Sequence, residues 1–341
     1  MSSSTMAANP ALCSYWHPVV RASELGDQPV ARTLLTRRIA LFRGTDGRPV
    51  AVPDRCPHRQ APLSAGRVVD GCLQCPYHGW TFDGAGRCVR VPSNEPSVPA
   101  PPKAHLATMH CVERYGLVWV CLGEPVAGIP EIAEEDDPSY RRINVEVQEW
   151  KTSALRMVDN FLDISHFPWV HVGTFGSATE QVVPAFELTD MGDFHGYAYE
   201  VEVANGSSVA QRAAGSAAAT LTRQMTSGFA LPFTCRSTIR YETGLDHILL
   251  LLSTPIDDVT SYFTFVVWRN DDFSAPAEEI IRFDRAIGEE DRQMLEQLDG
   301  PFPLERGALC DVRADRTGVE WRRRLVALLE GSGVPEGSVE R

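Results

Sequence analysis

Two short stretches of the chain each set a thiol beside an imidazole. Cys56-Pro57-His58 comes first, and after sixteen intervening residues follows Cys75-Pro76-Tyr77-His78-Gly79-Trp80. Pro and Gly mark both stretches as tight loops. Two loops that each offer one thiolate and one imidazole can close around a metal centre. A second constellation lies in the stretch from Arg156 to His171, where Asn160, Asp163 and His166 are spaced by three. On a helix these three share a face, whereas His171 falls about 140° away from His166. Pro168 cannot donate to the carbonyl of Ile164, so the helix is expected to kink or end there and let His171 swing round to join His166.

A third ligand should be a carboxylate, and residues 277–298 supply a candidate by pattern. Ile280, Phe283, Ile287, Met294, Leu295 and Leu298 form an apolar stripe at helical spacing, and Asp291 falls on it. A carboxylate on a buried face costs several kcal/mol unless it is paired or binds metal. A buried ion pair with Arg285 or Arg292 accounts for Asp291 equally well on pattern alone. Glu289, Glu290 and Glu296 are expected to face solvent.

Different metals suit the two constellations. A four-ligand zinc site uses two Cys and two His, but usually groups like with like. Here Cys and His alternate, as in a Rieske [2Fe-2S] cluster, which places two thiolates on one iron and two imidazoles on the other. Two His and one Asp form the facial triad of non-haem Fe(II) oxygenases, with positions left open for dioxygen. A one-electron cluster and an oxygen-activating iron in one chain make a coherent pair.

The elements that must position these groups fall into two halves. Before Leu122, short strand-like runs such as Ile39-Ala40-Leu41-Phe42 and Leu117-Val118-Trp119-Val120 alternate with turns carrying Asp46-Gly47, Asp70-Gly71 and Asp83-Gly84. Residues 123–142 read as an acidic linker, with Glu134-Glu135-Asp136-Asp137 as a solvated loop. The second half opens with the helical pattern of 153–171. Longer alternating runs follow at Tyr197 to Val203, His247 to Ser253 and Tyr262 to Val267, with an Ala/Gly/Ser-rich loop at 205–219. The helix of 277–298 and a basic amphipathic helix at Trp321 to Leu329 complete it. Phe229, Phe233, Phe265, Trp268 and Ile287 are candidate pocket-lining residues.

The chain has 341 residues, enough for about two domains. Lys+Arg is 32 against Asp+Glu 45, a net charge of −13 that argues against a phosphate-backbone binder, so no nucleic-acid partner is expected. No apolar stretch approaches the roughly 18 residues of a membrane span. Nine cysteines are an odd number, which rules out complete disulfide pairing. With no secretory leader in the sequence, free thiols point to a reducing cytoplasm. Cys13, Cys72, Cys88, Cys111, Cys121, Cys235 and Cys310 read as small apolar residues. His17, His105, His110, His195 and His247 read as surface or hydrogen-bonded core histidines.

Taken together, these motifs resemble the oxygenase component of Rieske non-haem iron oxygenases along nearly the whole chain. The resemblance rests on Cys56-Pro-His58, Cys75-Pro-Tyr-His78-Gly-Trp80, Asn160-Phe-Leu-Asp163-Ile-Ser-His166 with His171, Glu290-Asp291, and the strand Glu113 to Val120. It is strongest to the α-subunit-only members: saxitoxin-pathway hydroxylases and N- or O-demethylases. It implies an α+β fold, with a Rieske β-sandwich over 15–125, a linker over 126–145, and a helix-grip (START-like) antiparallel catalytic domain over 146–341. Cys56, His58, Cys75 and His78 are then cluster ligands, and His166, His171 and Asp291 iron ligands. Asp163 is a bridge from His166 to His78 of a neighbouring chain, and Asn160 lies beside the iron. The implied assembly is a head-to-tail homotrimer. Electrons come from NAD(P)H through a separate reductase, with or without a ferredoxin. The implied reaction uses dioxygen to hydroxylate or oxidatively demethylate a small molecule; cis-dihydroxylation of an aromatic ring is the alternative within the family. A Rieske electron carrier without catalysis is the alternative of another class, and the second half of the chain argues against it.

Overall fold

A computed structural model describes residues 6–176, 181–205, 211 and 214–331. It divides the chain into two units, Met1–Ile129 with Thr254–Asp257, and Pro130–Ser253 with Asp258–Arg341. Among the described residues no helix is long and apolar enough to cross a membrane.

The first unit is built from short strands joined by tight turns. They are β1 (His17–Arg21), β2 (Val30–Leu34), β3 (Arg37–Arg43), β4 (Pro49–Pro53), β5 (Arg67–Val69), β6 (Cys72–Gln74), β7 (Thr81–Phe82), β8 (Cys88–Arg90), β9 (His110–Arg114) and β10 (Leu117–Cys121). Three small sheets run β1-β10-β9, β2-β3-β4 and β5-β6-β7-β8. Asp70 and Gly71 both take positive φ, 50° and 70°, which makes the two-residue hairpin expected between β5 and β6. In the β7–β8 turn the positive φ falls on Gly86 rather than Gly84, because the Asp83 side chain accepts the backbone N–H groups of Ala85 and Arg87 and sets the turn around them. Ala40, Phe42, Val52, Leu63, Leu73, Phe82 and Leu106 form one core cluster together with Cys56 and Cys75.

The second unit begins with β11 (Arg141–Asn144), β12 (Gln148–Trp150), α1 (Ala154–Leu162) and α2 (Phe167–Val170). An antiparallel sheet follows from β13 (Leu188–Met191), β14 (Phe194–Ala204), β15 (Thr220–Ala230), β16 (Thr234–Tyr241), β17 (Asp246–Pro255) and β18 (Ser261–Arg269), in the order β11-β18-β17-β16-β15-β14-β13. The chain closes with α3 (Ala277–Leu295) and α4 (Arg316–Leu329). Ile280, Ile281 and Leu295 of α3 pack on Phe263, Phe265 and Val267 of β18 and on Met157 of α1, so the long helix is gripped by the sheet. Along β15 the buried positions alternate as Leu221, Arg223, Met225 and Ser227, which gives this strand one inward face.

Several sequence-based expectations are corrected. Met294 lies 43% exposed, and the helix ends at Leu295 with Leu298 beyond it and 45% exposed, so the apolar stripe is both narrower and shorter than the spacing over 277–298 implied. Glu134 and Glu135 are not simply solvated. Glu134 accepts two hydrogen bonds from Arg236 at 2.9 and 3.1 Å, and Glu135 pairs with Arg142 and accepts from Trp268 Nε1 at 2.8 Å. Of the 205–219 loop, residues 206–210 and 212–213 lie outside the described residues, and so does any lid made of them.

Candidate metal centres

The two loops of the first unit have the same backbone plan. Cys56 N donates to Ala61 O and Gln60 N to Cys56 O; Cys75 N donates to Trp80 O and Gly79 N to Cys75 O. The fourth residue after each cysteine takes positive φ, 62° at Gln60 and 69° at Gly79. Each loop therefore curls its Cys inward and its His outward. Cys56 and Cys75 are 1% and 2% exposed, whereas His58 and His78 are exposed and their ring centroids stand 4.4 Å apart. His58 also stacks on Trp80 at 4.5 Å, an interplanar angle of 3°. Burial pushes the Cys56 thiol up to about 11, and the neighbouring Cys75 thiol adds to the effect. Such thiols become thiolates only with a cation to hold them. Two buried sulfurs on one side and two imidazoles on the outer side fit a two-iron cluster, with each pair of like ligands on its own iron.

In the second unit, α1 starts at its N-cap Ser153, whose hydroxyl accepts from Arg156 N. It ends at Asp163, which is extended at φ −82°, ψ 142°. The break thus comes five residues before the expected position, Pro168, which sits in the first turn of α2 where proline is tolerated. The cause is the Asp163 side chain. It takes the N–H groups of Ser165 at 2.8 Å and His166 at 3.1 Å, so it ends one helix and organises the next turn. Asn160, Asp163 and His166 consequently do not share one helix face.

The break brings His166 and His171 together, with Nε2 atoms 3.0 Å apart, and each Nε2 stands 3.4 Å from Asp291 Oδ1. These three donors form one compact group. Two donors about 2.1 Å from one metal at right angles stand about 3.0 Å apart, so the triangle fits one face of a metal. The chemistry of the nitrogens agrees. His166 Nδ1–H donates to Asp163 Oδ2 at 3.1 Å, and His171 Nδ1–H donates to Glu290 Oε2 at 3.0 Å. Both Nε2 lone pairs then point at one spot together with a carboxylate oxygen, an arrangement that calls for a cation. Burial opposes a charge on His166, yet Asp163 and Asp291 outweigh it and hold this imidazole up to about 9. A divalent metal would take the place of that proton. Burial lowers His171, which suits a neutral ligand.

Among the described residues Asp291 makes no ion pair with an arginine. Arg285 binds Glu146 and Glu278, and Arg292 binds Glu296. Its partner is Asn160, whose Nδ2 donates to Oδ1 at 2.9 Å. Glu290, expected to face solvent, accepts from His171 Nδ1, from Gly173 N at 3.0 Å and from Thr174 Oγ1 at 2.7 Å. The neighbouring Asp291 lay on the apolar stripe and carried a signal; Glu290, one position away, carried none.

The triad opens into a cavity of about 870 Å³, counting its open mouth. Phe265 and Ile287 line it, as expected, while Phe229, Phe233 and Trp268 are buried away from it in the core. Sequence reasoning missed its polar wall. Arg269 Nη1 donates to His247 Nδ1 at 2.6 Å, so His247 donates through Nε2–H to Asp284 Oδ1 at 3.0 Å. Burial lowers the pKa of His247 and keeps this relay neutral at the imidazole.

Comparison with known proteins agrees with both halves. Residues 15–112 match the Rieske [2Fe-2S] domain, and residues 150–331 match the vanillate O-demethylase oxygenase C-terminal domain. Methylxanthine N1-demethylase NdmA of Pseudomonas putida is 31% identical over 328 residues, covering 93% of this chain and 89% of the relative. The oxygenase component of dicamba O-demethylase from Stenotrophomonas maltophilia is 38% identical over 160 residues, 46% of each chain. The structure of Pseudomonas putida NdmA with caffeine superposes with a TM-score of 0.83 at 26% identity, covering 98% of both chains. With both domains matched, and a demethylase aligned along most of its length, the chain belongs to the Rieske non-haem iron oxygenases: it is an enzyme, the oxygenase component of a multi-component system, and carries a [2Fe-2S] cluster and a mononuclear iron.

Proposed function

We propose that this oxygenase removes a methyl group from a nitrogen or oxygen of a small, largely apolar molecule by hydroxylating that methyl. The observation that carries this reading is the His166–His171–Asp291 triangle opening directly into a cavity walled by Phe161, Ile239, Leu249, Leu251 and Phe263. Iron bound in the triad supplies the activation of dioxygen. In the overall balance, dioxygen, two electrons and two protons convert a C–H bond to C–OH and release water. On a methyl attached to nitrogen or oxygen, the hydroxylated carbon then leaves as formaldehyde. The chain's own groups orient and shield. Asn160 fixes Asp291, Asp163 and Glu290 fix the two imidazoles, and the apolar wall excludes water from the substrate.

In this reading Cys56, His58, Cys75 and His78 hold the cluster, and residues 15–125 form the electron-entry domain. Residues 126–145 link it to the oxygen-activating domain over 146–341. The exposure of His58 and His78 supports passage of electrons between chains in a head-to-tail homotrimer, fed by an NAD(P)H-dependent reductase with or without a ferredoxin. Asp163, already bound to His166, is the bridge to His78 of the neighbouring chain. Nine free cysteines suit a reducing, cytoplasmic setting.

The test is a reductase-coupled screen of N- and O-methylated aromatics, reading formaldehyde and the mass of the product. The reading requires a product lighter by one methylene, and turnover lost in His166→Ala with the cluster spectrum intact. Ring cis-diols as the sole products, or turnover surviving His166→Ala, would refute it.

A further inference from the structure

The cavity beside the triad holds a cation with no acidic partner among the described residues. Arg223 stands at an inward position of β15, only 2% exposed, and lines the cavity. Its guanidinium carbon lies 5.4 Å from the Phe175 ring and 5.3 Å from the Tyr241 ring, and its Nε has no hydrogen-bond partner in the protein. Arg223 forms no ion pair among the described residues. The other charged groups on this wall are hydrogen-bonded, although Asp284 Oδ2 accepts no bond in the protein. Asp284 is bound to neutral His247, and Arg269 is held through Nε by Asp271, which also accepts from Arg141. Arg223 is therefore the arginine of the cavity lining that has no ion pair among the described residues. Burying an unpaired charge is costly, and natural chains seldom keep one without a use.

The position of that charge suggests its use. His171 stacks on Phe175 with ring centroids 4.8 Å apart, and Arg223 lies against the same Phe175 ring. The cation is therefore within one small aromatic molecule's length of the iron ligands. The cavity that Arg223 and the triad share also has apolar lining, including Ile239, Leu249 and Leu251. We infer that the substrate is a small organic anion with an apolar body, whose carboxylate or sulfonate caps Arg223 while its methyl end faces the triad. This rests on the oxygenase reading above and narrows its substrate class. Arg223 acts as a specificity determinant; aromatic faces on two sides orient its fork and leave its N–H groups for the anion.

Binding separates this inference from the reaction itself. Benzoate, 4-methoxybenzoate and benzenesulfonate are titrated anaerobically into the holoenzyme beside their neutral amides and sulfonamide, with calorimetry as the readout. At least one anion should bind about tenfold to a hundredfold more tightly than its neutral counterpart. Arg223→Met should abolish that preference and leave the neutral compounds unchanged; Arg223→Lys should restore part of it. Because the charge is unpaired in the free enzyme, Arg223→Met should also melt no lower than the native enzyme without ligand. A purely structural Arg223 predicts the reverse, a lower melting temperature with an unchanged preference, and that result overturns the inference. So does a panel in which no anion outbinds its neutral partner. Absence of formaldehyde from every substrate, with the anion preference intact, would instead refute demethylation alone.

Discussion

Replacing Glu290 with Gln should weaken iron binding without touching the cluster. Glu290 presents two oxygens to three donors: Oε2 accepts from His171 Nδ1 and Thr174 Oγ1, and Oε1 accepts from Gly173 N. A glutamine has one oxygen. If it faces His171, its amide N–H groups meet the Gly173 N–H; if it faces Gly173, they meet the His171 Nδ1–H. Either way one donor loses its acceptor, at about 1–3 kcal/mol, and the imidazole loses the negative charge that makes it a better ligand. The expected outcome is a 10- to 100-fold rise in the Fe(II) dissociation constant, about 1.4–2.7 kcal/mol. Apo-enzyme that retains its cluster would be titrated with Fe(II) against a chelator of known affinity, with the visible cluster spectrum as internal control. An unchanged dissociation constant would show that His171 needs no carboxylate behind it. A parallel loss of the cluster would show that the substitution acts through folding.

Further predictions concern the first unit. His17 is 1% exposed, and burial lowers it to about 4, against 6.5 in the unfolded chain. The unfolded state takes up its proton first, so stability should fall by about 3 kcal/mol as pH drops from 6.5 to 4. His17→Gln, which cannot titrate, should flatten this slope in denaturant melts, and equal slopes would refute the assignment. At Gly86, φ is +78° and a Cβ would lie 2.0 Å from Leu106 O, whereas Gly47 has φ +76° with nothing within 4 Å. Gly86→Ala should therefore cost about 3 kcal/mol and Gly47→Ala about 1 kcal/mol; similar melting temperatures for the two would show that the close approach relaxes.

What could be read from the sequence depended on how local each ligand's setting is. The Cys56 and Cys75 loops announce themselves, because donor, proline and turn residue lie within six positions of one another. His166 and His171 were legible as a pair, but the break between them was misplaced. Pro168 drew attention as a helix breaker, while the Asp163 carboxylate, two hydrogen bonds ahead of it, had already ended the helix. Asp291 showed as a polar residue on an apolar stripe. Glu290 could not show, since a glutamate among glutamates gives no sign that it meets a histidine 119 residues earlier. Arg223 interrupts the inward series Leu221, Met225 and Ser227, a signal present in the sequence but readable only with the register of β15 in hand. The pocket aromatics were hardest, because core and cavity wall have the same composition.

The two imidazoles are gripped alike but by carboxylates of different origin, and this makes a last prediction. Asp163 is three residues from His166, so that half of the site forms with its own segment. Glu290 and Asp291 both come from α3, so docking this one helix delivers a ligand and the support of the other imidazole together. Asn160 of α1 closes the arrangement on Asp291. Any motion that lifts the C-terminal half of α3 must release the metal. Iron at 100 times its dissociation constant should then suppress such openings by about 2.7 kcal/mol. Amide exchange across 277–295 should slow on adding Fe(II) to cluster-loaded protein, while exchange in the Cys56 and Cys75 loops stays the same. Unchanged exchange in α3 would mean that the helix is held by its packing on Phe263, Phe265 and Val267 alone, and that the iron site is a passenger on it.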